Sequence, residues 1–220
     1  MFLHDLRDGL VRRLGYTPSP AGKFWESDVT FMSLYEGIKD HTVVSIDRCF
    51  MLYQLAKMAP DGAVAELGVY KGGTAKFIHT LLPDRDYYLF DTFSGLPPEI
   101  LNEKEKESAS KVDFQDTSLE EVKTYLGCKK FIFKQGFFPD TTKGIDEKFA
   151  FVYLDADLYQ STKDGLEYFY PRLTKGAIIV VDDYGSRYWS GVTDAVDEFK
   201  KKNKVRFMRT TKSQCVLFNA

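Results

Sequence analysis

AVAELGVYKGGT, residues 63–74, is where the chain changes period. A short apolar run stops at Gly68, turns through Gly72 and Gly73, and restarts with helical spacing to residue 82, which marks the first half of a βα unit. Gly68 and Gly72 let the backbone turn and approach a ligand closely. The alternation then repeats: strand 87–90, helix 118–126, strands 130–134 and 150–154, helix 162–170, strand 177–181 and helix 194–202. Short apolar strands separated by helices predict a parallel, doubly wound α/β sheet. Two β-like runs close the chain, 205–209 and 215–219, too near each other for a crossover, so a hairpin and an antiparallel strand at the sheet's end are expected. Upstream, Phe2 or Leu3, Leu6, Leu10 and Leu14 predict an amphipathic helix, residues 16–22 a loop, and Ile46, Phe50, Leu52, Tyr53 and Leu55 a second helix over residues 44–58. One domain over 1–220 is expected, with 1–60 as helical lead-in and 61–220 as core. NEKEKESASK, residues 102–111, is charged and poor in apolar residues, which predicts a mobile surface loop, with a lid as the alternative.

Composition narrows the function classes. With 220 residues and 44% hydrophobic residues the chain can build a substantial core. Thirty basic against 32 acidic residues leave a formal charge of −2, which provides no field for nucleic acid or an anionic membrane and favours a small-molecule partner. Cys49, Cys128 and Cys215 are odd in number and widely spaced, so reduced thiols are expected rather than disulfides or a zinc site. Asp5 and Asp8 interrupt the first helix, unlike a signal-peptide core, and a soluble cytoplasmic protein follows as the expectation; a homo-oligomer stays open.

Ligands of open parallel sheets bind beyond the carboxyl ends of the strands. There the chain carries Glu66-x-Gly68-x-x-x-Gly72-Gly73, which differs from the G-x-G-x-x-G of dinucleotide binders. Pyrophosphate needs amides at a helix N-terminus, whereas Glu66 repels phosphate and suits the ammonium of a methionine moiety. S-adenosylmethionine (SAM) therefore fits better than NAD. Asp91 ends the second strand, and a carboxylate there can accept hydrogen bonds from both ribose hydroxyls. Glycine turns and helix-capping acids are the plainer reading of each feature alone.

Four carboxylates crowd the next strand ends. Residues 151–154 run into Asp155-Ala-Asp157, and residues 178–181 run into Asp182-Asp183. Like charges a few ångströms apart repel by several kcal/mol at intermediate dielectric, so protons or a cation must offset them. With no His or Cys nearby the donors are all oxygen, which suits Mg²⁺, Mn²⁺ or Ca²⁺. Turn initiation at 182–183 and helix capping by Asp157 are the alternative.

Taken together, these stretches resemble the macrocin O-methyltransferase family of sugar O-methyltransferases, within the class I SAM-dependent methyltransferases. The similarity rests on HTVVS (41–45), ELGVYKGG (66–73), DTFSGLP (91–97), DTSLEEVK (116–123), QGFFPDT (135–141), LDADLYQST (154–162) and VDDYG (181–185). The Asp155-Ala-Asp157 run is also similar to that of cation-dependent catechol-type and caffeoyl-CoA-type O-methyltransferases. The resemblance implies a Rossmann-like sheet, mostly parallel with an antiparallel last strand. It implies that Thr42, Val43, Ser45, Glu66, Gly68, Gly72, Thr74, Asp91, Ser94, Gln135, Gly136 and Asp155 surround SAM. It also implies that Asp155, Asp182 and Asp183 hold Mg²⁺ (or Mn²⁺ or Ca²⁺) and that Asp157 is the general base. Sugar-modifying members usually carry Thr-Met where this chain has Thr42-Val43.

The expected reaction is methylation of a hydroxyl on a small molecule, a sugar or another vicinal diol of a natural-product or glycan pathway. Coordination to a dication acidifies a hydroxyl as it does metal-bound water. A catechol or phenol acceptor, a non-catalytic nucleoside-binding module and an NAD-dependent oxidoreductase are the competing readings. Packing or surface roles are expected for His4, His41 and His79, and a solvated helix end for the lysines at 200–204. The aromatics Phe137, Phe138, Tyr159, Tyr184, Tyr188 and Trp189 either wall an acceptor pocket or pack in the core.

Overall fold

In a computed structural model of the protein, the described residues are 23–112, 114–127, 130–210 and 212–219. The expected first helix, the loop over 16–22, His4 and Cys128 lie outside them. Seven strands form one sheet: β1 (Ala63–Leu67), β2 (Tyr87–Asp91), β3 (Phe131–Gln135), β4 (Phe149–Leu154), β5 (Leu173–Asp182), β6 (Arg206–Arg209) and β7 (Gln214–Phe218). Their order is β3-β2-β1-β4-β5-β7-β6, with β1 to β5 parallel to their neighbours and β7 antiparallel to both β5 and β6. The doubly wound sheet with its antiparallel end is the class expected. Strand order reverses between β1 and β4, the switch point where such sheets open a crevice.

The α-helices are α1 (Val29–Glu36), α2 (Ile46–Ala56), α3 (Gly73–Leu81), α4 (Glu103–Ala109), α5 (Leu119–Leu126), α6 (Tyr159–Phe169) and α7 (Ser190–Lys202). Both faces of the sheet are covered, which explains strands that read as continuous apolar runs. Val64, Leu89, Tyr153 and Val180 pack on one side with the lead-in residues Phe31, Phe50, Leu52 and Tyr53 and with Phe77 of α3. Ala65, Phe90, Val152, Leu154 and Val181 pack on the other with Leu166 and Phe169 of α6 and Val196 and Phe199 of α7. Cys49 and Cys215 are buried free thiols. The edge strand β6 is short and carries Arg206 and Arg209, charges that discourage edge-to-edge pairing.

Two segments correct the sequence reading. Residues 102–111 are no loop: Asn102 caps α4, accepting from the amides of Lys104 and Glu105, while Glu105 returns a carboxylate to the Asn102 amide, the reciprocal arrangement of a capping box. Residues 29–36, for which the apolar spacing predicts no helix of their own, form α1, whose N-cap Asp28 accepts from the Phe31 amide at 2.9 Å. Among the described residues no helix is long and apolar enough to cross a membrane.

Candidate active site

Parallel pairing aligns the strand ends that matter. Leu67 pairs with Leu154 and Leu154 with Val181, so Gly68, Asp155 and Asp182 emerge side by side at the carboxyl edge. Gly68 sits there with φ +89°, and a Cβ would run into the Asp155 carbonyl, so glycine is what lets the first turn lie against the Asp155 backbone. At the other wall Gly73 opens α3 beneath the backbone of His41, where a Cβ would come within 2.5 Å of the carbonyl oxygen. This close approach lays segment 41–44 along the helix start. Between these walls is a cavity of about 530 Å³.

Of the residues expected around SAM, Thr42, Val43, Gly68, Thr74, Asp91, Gly136 and Asp155 line the cavity. Ser45, Glu66, Gly72, Ser94 and Gln135 are not among its lining residues, and each has another contact or setting. The Ser45 hydroxyl donates to Asp47 and accepts from Arg48 Nε at 3.3 Å. Glu66 belongs to the strand rather than the turn; fully buried, it accepts from Thr74 Oγ1 at 2.5 Å and Tyr87 Oη at 2.6 Å, and burial pushes its carboxyl up to about 8. Gly72 is the N-cap of α3 and faces Val122 and Leu126. The Ser94 amide donates to Thr92 Oγ1 at 3.3 Å, and Gln135 Nε2 reaches the Thr92 carbonyl at 3.5 Å.

Asp91 lines the cavity and organises two loops at once. One carboxylate oxygen accepts from the amides of Val69 (2.6 Å) and Tyr70 (2.9 Å), the other from the amide of Phe93 (2.7 Å) and the Thr92 hydroxyl (3.4 Å). The turn after β1 is thereby tied to the end of β2.

The acidic cluster forms the floor. Carboxylate oxygens of Asp155, Asp157 and Asp183 lie within 4.8 Å of one another. Asp157 and Asp183 adopt left-handed backbones, φ +59° and +56°, which aspartate tolerates better than most residues. Burial, then the charge of Asp182, holds Asp155 well above the usual carboxylate range; burial and Asp183 do the same for Asp157. Asp182 differs. It is 2% exposed, its Oδ2 pairs with Arg48 Nη1, and its Oδ1 accepts from Gln214 Nε2 at 2.7 Å. Burial raises this carboxyl and Arg48 pulls it back, leaving it at about 6. Asp182, which the family resemblance implied as a ligand beside 155 and 183, lines the same cavity but is paired with Arg48 and Gln214, and the three acids whose oxygens lie within 4.8 Å are 155, 157 and 183.

Arg48 and Gln214 are the residues that sequence reasoning missed. Gln214 stands opposite Asp182 in the β5–β7 register, a position legible only once the hairpin's partner strand is known. Arg48 is a single cation on an otherwise apolar helix face, a weak signal. Helix α4, read as loop, also supplies lining residues: Ser108 lines the cavity, as do Lys111 and Val112 just beyond it. Among the aromatics, Phe137, Phe138, Tyr188 and Trp189 line it, whereas Tyr159 and Tyr184 are absent from the lining and donate to Glu198 and Asp197. His41 lines the wall and stacks on Tyr125 with ring centres 3.7 Å apart; His79 packs beside Phe131.

Comparison with known proteins adds an independent line. The family described as Macrocin-O-methyltransferase (TylF) matches residues 38–219. The chain is 28% identical over 179 residues to the 8-demethyl-8-(2,3-dimethoxy-alpha-L-rhamnosyl)-tetracenomycin-C 4'-O-methyltransferase of Streptomyces olivaceus, an alignment covering 73% of this chain and 67% of the relative. It is 29% identical over 182 residues to the demethyldecarbamoylnovobiocin O-methyltransferase of Streptomyces niveus, covering 74% and 68%. Among solved structures, the O-methyltransferase NovP superposes with a TM-score of 0.72 at 26% identity over 82% of both chains. The calicheamicin methyltransferase CalS11, at 20% identity, shares the fold with a TM-score of 0.62 over 92% of this chain and 94% of its own.

Proposed function

The chain belongs to the macrocin O-methyltransferase family and is a SAM-dependent O-methyltransferase, and we propose that its acceptor is a small molecule bearing a vicinal diol, in the first instance a sugar, methylated with the help of a divalent cation. The observation that carries this reading is the convergence of three carboxylates on the floor of a cavity at the switch point of the sheet. Their donor set is all oxygen, as Mg²⁺ or Mn²⁺ prefers, and the upward push on Asp155 and Asp157 comes first from burial and then from the neighbouring carboxylates, with Arg48 opposing it. Asp155 and Asp183 would hold the cation. When bound, it would supply Lewis acidity to an acceptor hydroxyl.

The chain's own residues account for the rest. Thr42, Val43, Gly68, Thr74, Asp91 and Gly136 form the cofactor wall, and Asp91 keeps the β1 and β2 turns in register with it. When bound, SAM would supply the methyl group to the acceptor oxygen and keep the C–S electron pair on sulfur, and Asp157 would take the proton of the acceptor hydroxyl. Asp157 lines the cavity beside Asp155 and Asp183, where an acceptor hydroxyl would be presented to it. Positioning does much of the remaining work, because two reactants held at near-attack distance react as one molecule. The curated relatives named above are described as acting on a rhamnosyl tetracenomycin and on a novobiocin precursor, which supports a glycosidic acceptor. The aromatic lining by Phe137, Phe138, Tyr188 and Trp189 favours a second reading, a flat phenolic acceptor.

A panel of glycosides and catechols assayed with SAM, with Mg²⁺ or with excess chelator, tests the proposal. Turnover of diol-bearing glycosides that stops on chelation is expected; full activity in excess chelator overturns the cation's part. Asp155→Ala should abolish cation binding and turnover, whereas Asp157→Asn should keep the cation and lower kcat by at least about 100-fold.

A further inference from the structure

We propose that Tyr125 is a positioning residue for the cofactor: its ring, clamped between His41 and Lys76, fixes the segment 41–44 that walls the cavity. The inference rests on the reading of that segment as cofactor wall. Hydrogen bonds of the segment stay within its own stretch of chain, from the His41 amide to the Ile38 carbonyl at 2.8 Å and from the Val44 amide to Thr42 Oγ1 at 3.1 Å. They shape the segment without tying it to a neighbouring element. Two packing contacts do the tying. Beneath the backbone, Gly73 lets the start of α3 approach so closely that a Cβ would fall 2.5 Å from the His41 carbonyl oxygen. Beside it, the His41 imidazole lies on the Tyr125 ring, with centres 3.7 Å apart and planes 15° from parallel.

The far face of the same ring is taken as well. Lys76 Nζ stands over Tyr125 at 4.1 Å from the ring centre, a distance at which the imidazole leaves it no room on the near face, so the phenol is held between a ring and a cation. Lys76 belongs to α3 and Tyr125 to the last turn of α5, so the stack joins the wall to both helices. His41 lines the cavity and Tyr125 is not among its lining residues, so Tyr125 acts on a ligand through His41. A stacked aromatic pair is worth about three- to tenfold in an equilibrium constant. Without the stack that share of cofactor affinity is spent on ordering the wall.

Calorimetric binding of S-adenosylhomocysteine to the full chain, with urea unfolding as the check that each variant is folded, tests the assignment. Tyr125→Leu should bind S-adenosylhomocysteine about three- to tenfold more weakly than the wild type. Tyr125→Phe keeps the ring and loses a hydroxyl that stands 3.5 Å from the Gly37 carbonyl, so its binding should stay within about twofold of the wild type. In a His41→Ala background, Tyr125→Leu should add no further loss, which general loosening of α5 would not produce. Should Tyr125→Leu fail to fold, Tyr125→Gln carries the test, since it suits a half-buried helix position and has no ring. Gly73→Ala separates the inference from the reading beneath it, because its Cβ displaces the segment whether or not the stack is present. Weaker binding by Gly73→Ala with Tyr125→Leu unchanged overturns the positioning role alone; unchanged binding by both overturns the wall reading and this inference with it. Binding by Tyr125→Phe as weak as by Tyr125→Leu, or equal losses with and without His41, makes Tyr125 plain structural support and overturns the assignment.

Discussion

Glu66 and the aspartates show what a single carboxyl group becomes when the fold removes its water. Position 66 was legible as important from the glycine turn that follows it, but its contact was not. Two-residue alternation along β1 sends Val64 and Glu66 to the face covered by α3, where Thr74 and Tyr87 wait with hydroxyls, and away from the cavity. The buried carboxyl, at about 8, is protonated in the folded chain at pH 6 while its unfolded counterpart, near 4.5, is ionised. The folded state thus binds the extra proton, so stability falls as pH rises from 4.5 to 8 and levels off above, the reverse of an ion-paired carboxylate. The slope from this one group is at most about 1.4 kcal/mol per pH unit. Urea unfolding at several pH values should show Glu66→Gln losing that slope, so that the variant gains on the wild type between pH 5.5 and 7.5; parallel curves would contradict the buried proton.

Helices α1 and α4 are the elements that composition hid, and both were hidden for the same reason: a short helix with one buried position carries almost no 3.6-residue signal. In α1 that position is Phe31 and in α4 it is Glu105, which is 2% exposed. The helix-start pattern Asn102-x-x-Glu105 was present in the sequence, masked by the surrounding charges. The longer helices, whose apolar stripes are wide, were placed to within a few residues. Glu105 also reaches beyond its own helix. Its Oε1 accepts from the Tyr159 amide at the start of α6 at 2.7 Å, and Ser108 Oγ donates to the Tyr188 carbonyl at 2.6 Å, so this wall of the cavity is fastened to the starts of α6 and α7. Glu105→Ala should therefore lower unfolding stability by about 2 to 3 kcal/mol, the loss of a buried charge-assisted bond and a cap together. Gly191→Ala reaches the same contact from α7, since its Cβ would fall 2.7 Å from Glu105 Oε1. The two substitutions should be less than additive in a double-mutant cycle read by urea midpoints; full additivity would mean that Glu105 and Gly191 do not share this contact.

At the scale of the whole molecule the question is whether the lead-in and the core are one folding unit. The sheet and its order follow from alternation and loop length, rules that act along the chain. The pairing of Arg48 with Asp182 arises from packing across more than a hundred residues and leaves no local trace. That packing argues for a single unit: Phe31, Val44, Phe50, Leu52 and Tyr53 share one apolar cluster with Val64, Phe77, Tyr153 and Val180. The chain has two tryptophans, one in each part. Trp25 packs against that cluster from the lead-in, and Trp189 lines the cavity at 8% exposure. Variants Trp189→Phe and Trp25→Phe therefore report each part separately by fluorescence. Coincident transitions are expected from both, as two-state unfolding requires. S-adenosylhomocysteine at about 100 times its Kd should add about 2.7 kcal/mol and raise both midpoints together by about 5 to 10 °C, because the cavity proposed to hold the cofactor is lined by segment 41–44 and the strand ends alike. NAD at the same concentration should leave them unmoved. A Trp25 signal that melts early and ignores S-adenosylhomocysteine would instead make the lead-in a separate unit, and the ion pair from Arg48 a contact between two bodies.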